Sequence, residues 1–163
     1  MRLKEKLCVS TIMVLSFFTI LYIYERLPIK IVVAKDVSLP YNVFLYLPKK
    51  KSFRKGDYIE FVEVFKEPRF ARLGNPVFLI KKIACGEGDI LETKGLNFYC
   101  NGKKIAVAKT TTPKGEKIKI FKFSGKLPAG YYFVIGTHPY SFDSRYLGLI
   151  YKSQITAWVI PLW

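Results

Sequence analysis

The chain has 163 residues, half of them hydrophobic, with 27 Lys and Arg against 12 Asp and Glu and a net charge of +15. The apolar fraction excludes a disordered chain, and the length suffices for one well-buried domain. A single histidine, three cysteines without paired spacing and no run of carboxylates argue against a metal centre, so no metal or cofactor is expected.

The first element is an uncharged apolar run of 18 residues from Leu7 to Tyr24. As a helix it spans about 27 Å, close to a bilayer core of about 30 Å. Its flank, Arg2 to Lys6, is short and basic, which puts the N-terminus in the cytoplasm and the rest outside. The run exceeds the apolar core of a cleaved signal and no small-x-small site follows it, so a retained anchor is expected. Residues 1–26 are therefore read as cytoplasmic N-terminus and anchor, and 27–163 as an extracytoplasmic β-rich domain.

Beyond the anchor, short strands alternate with turn signals. Lys30 to Ala34 is a strand, and Lys35 to Asn42 is a turn containing Ser38, Leu39 and Pro40. Val43 to Leu47 and Tyr58 to Val64 are strands separated by the basic loop Lys49 to Lys55. Lys66 to Asn75 is a polar loop that delivers the chain to Val77-Phe78-Leu79-Ile80-Lys81-Lys82-Ile83-Ala84. Either face of this strand carries one lysine, because side chains alternate across it. Asn101-Gly102 predicts a hairpin between Phe98 and Ile105, since Asn-Gly supplies both positive φ values of a type I′ turn. Lys117 to Phe123, Gly130 to Ile135, Leu149 to Tyr151 and Ile155 to Ile160 complete the strands. No helix pattern is read after residue 26. The fold class is mostly β, a compact barrel or folded-over sheet behind an N-terminal transmembrane helix. Cys85 and Cys100 are either a disulfide or two inert buried thiols.

Few residue types here carry chemistry. His138 stands beside Pro139 in a loop and reads as a turn residue; Gly86-Glu87-Gly88 lacks phosphate-loop spacing. What remains is a serine with a lysine: Ser38 in its turn and a lysine ringed by aliphatic neighbours. Burial disfavours an ammonium, and a neutral amine can take the proton of an attacking hydroxyl. Lowering a lysine from about 10.4 to between 7 and 8 requires roughly 3 to 5 kcal/mol, which burial can supply.

Three segments then resemble, in order, the boxes of the type I signal peptidase family. They are Ser38-Leu39-Pro40, Phe78 to Asp89, and Ser141-Phe142-Asp143-Ser144-Arg145-Tyr146-Leu147-Gly148. The last box, with the anchor and small size, is most similar to the TraF-type conjugative-transfer branch. The resemblance implies a signal peptidase catalytic domain with Ser38 as nucleophile and Lys81, not Lys82, as general base. It implies further that Ser141 orients the lysine amine and that Asp143 pairs with Arg145 to brace the site. Asp36 departs from the pattern, standing where many relatives place an oxyanion-stabilising hydroxyl; Asn42 and Phe44 stand where the TraF-type pattern favours Gly and Tyr.

The implied activity is hydrolysis of signal or leader peptides at small-x-small sites on the outer face of the inner membrane, by a single-pass protein. Its partners would be the lipid bilayer and a membrane-inserted preprotein or pro-pilin. The competing reading is a catalytically silent, membrane-tethered β domain that binds extracytoplasmic proteins. Nucleic acid is not expected, because the lysines are scattered along alternating strands instead of gathered on one helix.

Overall fold

The computed structural model describes residues 3–26, 29–34, 38–65 and 76–163. The chain divides into two compact units, Met1–Lys30 and Ile31–Trp163. The first is essentially one helix, α1 (Leu3–Arg26), of which Lys6–Arg26 is long and apolar enough to cross a membrane. Its apolar side chains, from Leu7 to Tyr24, are exposed all round. Thr11, Ser16 and Thr19 turn their hydroxyls back onto the carbonyls of Leu7, Met13 and Leu15. Polar groups satisfied within the helix in this way are the kind a bilayer interior tolerates.

The second unit is mostly β, as expected. Its strands are β1 (Lys30–Val33), β2 (Val43–Leu47), β3 (Tyr58–Glu63), β4 (Val77–Cys85), β5 (Ile90–Lys94), β6 (Asn97–Cys100), β7 (Lys103–Val107), β8 (Ser124–Lys126), β9 (Tyr131–Ile135), β10 (Ile150–Tyr151) and β11 (Ile155–Pro161). They form a seven-stranded sheet in the order β1-β2-β11-β3-β4-β9-β10 and a four-stranded sheet in the order β7-β6-β5-β8. Every pairing whose register is defined is antiparallel.

Period-two alternation lets β4 and β9 serve two layers of core. Ile83, Tyr132 and Val134 join Phe53, Ile59 and Phe61 on one side. Ala84, Cys85 and Phe133 join Leu91, Phe98 and Cys100 on the other, against the small sheet. A third cluster, Leu39, Phe44, Ala157 and Val159, packs the Ser38 turn onto β2 and β11. Cys85 and Cys100 form a disulfide that ties the end of β4 to the end of β6. Asp89 lies close to both sulfurs, but sulfurs bonded to each other offer no thiolate to a cation.

Two expectations are corrected. Lys117 to Phe123 is not a strand: Lys117 makes a single bridge with Thr111, the Ile118 and Phe121 N–H groups donate to the Thr110 and Arg145 carbonyls, and at its end the Phe123 carbonyl accepts from the Thr93 N–H of β5 while its own N–H donates to the Thr93 hydroxyl. Its side chains alternate only as far as Ile120: Lys117 and Lys119 are exposed and Ile118 and Ile120 partly buried, but Phe121 is partly buried as well, so the period breaks there. A ladder begins only at Ser124, where β8 pairs with β5. In addition, a one-turn helix follows residue 26 after all, α2 (Ser144–Leu147). Four residues are too few to show a helical period, and its start is fixed locally by the Asp143 side chain, which accepts from the Arg145 N–H. The Asn101-Gly102 hairpin has φ values of 50° and 75°, the conformation its residues require. The Lys66 to Asn75 loop and Asp36 lie outside the described residues.

Candidate active site

In β4 the two lysines part company. Lys81 is 1 % exposed and lies on the face shared with Val77, Leu79 and Ile83, opposite Ile59 of β3. Lys82 points the other way, half-buried, its ammonium 5.7 Å from the centre of the Tyr58 ring. The strand period thus sends only one of the pair inward.

Lys81 Nζ meets Ser38 Oγ at 2.5 Å. Ser38 is itself buried, and its carbonyl accepts from the backbone N–H groups of Thr137 and His138, at 2.8 and 3.2 Å, and from the Thr137 hydroxyl. The serine turn is therefore held on two sides, by the Leu39 packing and by the backbone that follows β9.

Gly136, at the start of that backbone, has no room for a side chain. A Cβ there would collide with the Ser141 hydroxyl and would stand 2.7 Å from both the Ser141 Cβ and the Ser38 carbonyl oxygen. Ser141 and Ser38 consequently converge on one point. Ser141 Oγ is buried and has no hydrogen-bond partner among the described residues. The bond to the Lys81 amine that the resemblance implied is not formed in this structure.

Asp143 and Arg145 form a two-bonded ion pair, Nε to Oδ1 and NH2 to Oδ2, each 2.8 Å. Asp143 is fully buried, and its Oδ2 also accepts from the Gly136 N–H at 2.8 Å. The guanidinium donates further to the carbonyls of Val107, His138, Pro139 and Ser141. Burial opposes the Arg145 charge, but the hydrogen bonds and charge of Asp143, with Tyr146, outweigh it and hold the group above its ordinary pKa. The pair does not touch Ser38 directly. It fixes the loop whose N–H groups grip the Ser38 carbonyl.

The buried polar side chains among the described residues are Ser38, Lys81, Ser141, Asp143, Ser144 and Arg145. Buried polar groups in a small β domain are the informative exceptions to its composition. Ser144, to which the sequence reading gave no role of its own, accepts from the Val134 N–H and so anchors α2 to β9. Gly136 also escaped the sequence reading; its place between an apolar strand and a polar loop was visible, but the close approach it permits was not.

Beside this cluster lies a cleft of about 470 Å³ lined by Ser38, Leu39, Phe44, Tyr46, Glu60 and Ile80, among others. It runs along β4, whose Val77–Lys81 half pairs with β3 on one edge, while β9 begins to pair only at Lys82 on the other. Among the described residues that edge of β4 is open, so it can receive an extended chain.

A search of curated proteins finds no match. Solved structures that resemble the chain include the crystal structure of a signal peptidase I from Enterococcus faecalis V583, 24 % identical, with a TM-score of 0.42, covering 69 % of this chain and 100 % of that one. The family model described as signal peptidase, peptidase S26, matches residues 4–163. The chain, with a buried serine and lysine in contact beside an open strand edge, belongs to the peptidase S26 family of signal peptidases.

Proposed function

We propose that this chain is a membrane-anchored serine endopeptidase in which Ser38 is the nucleophile and Lys81 its general base, and that it removes signal or leader peptides from exported proteins. The observation that carries this reading is the 2.5 Å contact between Lys81 Nζ and Ser38 Oγ, with both residues buried. Burial penalises the ammonium form of Lys81 and so favours an amine able to accept a proton.

In acylation, Ser38 Oγ bonds to the scissile carbonyl carbon while its proton passes to the Lys81 amine. The tetrahedral intermediate collapses, the C–N bond breaks, and Lys81 returns the proton to the leaving amine. Water then attacks the acyl-enzyme with Lys81 again taking the proton, and Ser38 is regenerated. The buried, unpartnered Ser141 hydroxyl supports a part in orienting the amine once it turns from Ser38 toward the leaving group. The substrate lies as an added strand on the open edge of β4, its small side chains entering the mainly apolar cleft.

The basic flank and apolar length of the helix support a single pass through the inner membrane, N-terminus in the cytoplasm, with the peptidase unit outside. The bilayer and a membrane-inserted preprotein are then its partners. The wording of the Ser141 to Gly148 segment supports the narrower TraF-type reading, with a pro-pilin as substrate.

The test is cleavage of a membrane-inserted preprotein bearing an Ala-x-Ala site. Wild type and Lys82→Ala are expected to cut, and Ser38→Ala and Lys81→Ala to lose cutting entirely. Retained cutting by Ser38→Ala, or none by folded wild type with either preprotein or pro-pilin, sinks the proposal.

A further inference from the structure

The cleft beside Ser38 is lined mainly by apolar side chains. There Glu60 of β3 carries the only charge among its described lining residues, in a chain otherwise dominated by cations. Glu60 is not a loose surface carboxylate. Its Oε1 accepts from the Tyr46 hydroxyl of β2 at 2.8 Å, and its Oε2 accepts from the Thr156 hydroxyl of β11 at 2.5 Å. Thr156 reaches it because β11 shifts register between Ile155 and Ala157, a bulge that re-aims the side chain. Burial, then the Glu60 hydrogen bond and charge, push the Tyr46 phenol well above its ordinary pKa, so it remains a donor. A carboxylate accepts about four hydrogen bonds, so two hydroxyls fix its orientation and leave capacity facing the cleft.

Strand spacing says what reaches it. Glu60 pairs directly with Ile80 of β4. A substrate strand on the open edge of β4 lies two strand spacings from β3, roughly 9 to 10 Å. A short side chain stops over Ile80, whereas Lys or Arg spans it with its stem on the aliphatic floor and its head at the carboxylate.

We infer that Glu60 is a specificity-determining residue of this peptidase, which selects substrates carrying a lysine or arginine at a cleft-facing position before the cut. This rests on the proposed strand-addition mode. Alternate residues share a face, so the first, third and fifth residues before the scissile bond enter the cleft. The first and third are the small residues of the proposed Ala-x-Ala site, which leaves the fifth for the basic side chain.

The experiment uses the full chain in detergent and a peptide series with Ala, Lys or Glu at each of the five positions before the cut. Wild type is expected to favour Lys over Glu by about ten-fold or more in kcat/KM at the fifth position only. Glu60→Gln, which keeps hydrogen-bonding capacity toward Tyr46 and Thr156, is expected to abolish that ratio, and Glu60→Lys to reverse it. A structural brace predicts equal losses on all peptides instead. Equal kcat/KM across the series for wild type, or an unchanged ratio in Glu60→Gln, overturns the inference. Charge-selective binding of the same peptides to Ser38→Ala, without cutting by wild type, retains the Glu60 site and discards the peptidase reading. Neither binding preference nor cutting discards both.

Discussion

Arg145 offers donors to one carboxylate and four backbone carbonyls while almost fully buried, so its loss spreads further than any substitution at the dyad. Arg145→Met is expected to leave the Asp143 charge buried and uncompensated and to cost roughly 3 to 5 kcal/mol in urea unfolding. Adding Asp143→Asn should recover part of that, because the double variant buries no lone charge; a purely additive cycle would count against the pair as a unit. Gly136→Ala acts differently. Its Cβ would displace the Ser141 side chain or the Ser38 carbonyl, so a loss of roughly 1 to 3 kcal/mol in stability together with about a hundred-fold loss of kcat is expected, read by thermal unfolding beside a cleavage assay. The serine, the lysine and the acidic and basic members of the last box were singled out by three segments that resemble, in order, those of a known family, since a serine in a turn and a lysine in a strand occur in any β protein. Gly136 and Ser144 were not, since a glycine after a strand and a serine in a turn look ordinary until the elements around them close.

At the scale of elements, the disulfide between β4 and β6 joins the two sheets across 15 residues of chain. Closing a loop of that length restricts the unfolded chain, so Cys85→Ala with Cys100→Ala is expected to cost about 3 kcal/mol in chemical denaturation. Indistinguishable midpoints would mean that the small sheet is held by Phe98, Leu91 and Phe133 packing alone. Strands such as β2, β3 and β4 were legible because their own residues alternate or run apolar between turn residues, and the β6–β7 hairpin because Asn101-Gly102 dictates its turn. Lys117 to Phe123 was misread for an instructive reason. Lys117 to Ile120 satisfies the strand pattern, but Ile120 and Phe121 are both partly buried and break it, and whether a neighbour supplies a ladder is a property of the partner and not of the segment. The short α2 was missed for the opposite reason, as its cap and the Arg145 contacts hold it where four residues of sequence carry no period.

For the whole molecule, the division into two compact units predicts separable duties. A chain lacking α1 is expected to cut a soluble peptide at the wild-type rate and to lose at least ten-fold on a membrane-inserted preprotein, as tethering sets the local substrate concentration. Equal losses on both substrates would mean that the helix contributes to the catalytic unit itself. Within that unit the order of the large sheet puts β11, the last strand of the chain, between β2 and β3. Leu39 and Phe44, which seat the Ser38 turn, pack against Ala157 and Val159 of that strand. No partial chain can therefore assemble the turn. Contacts this remote in sequence make for slow, late-committing folding. A copy in which β11 has not yet paired is thus expected to leave Ser38 unseated, so that the docking of this strand and the readiness of the serine come as one event.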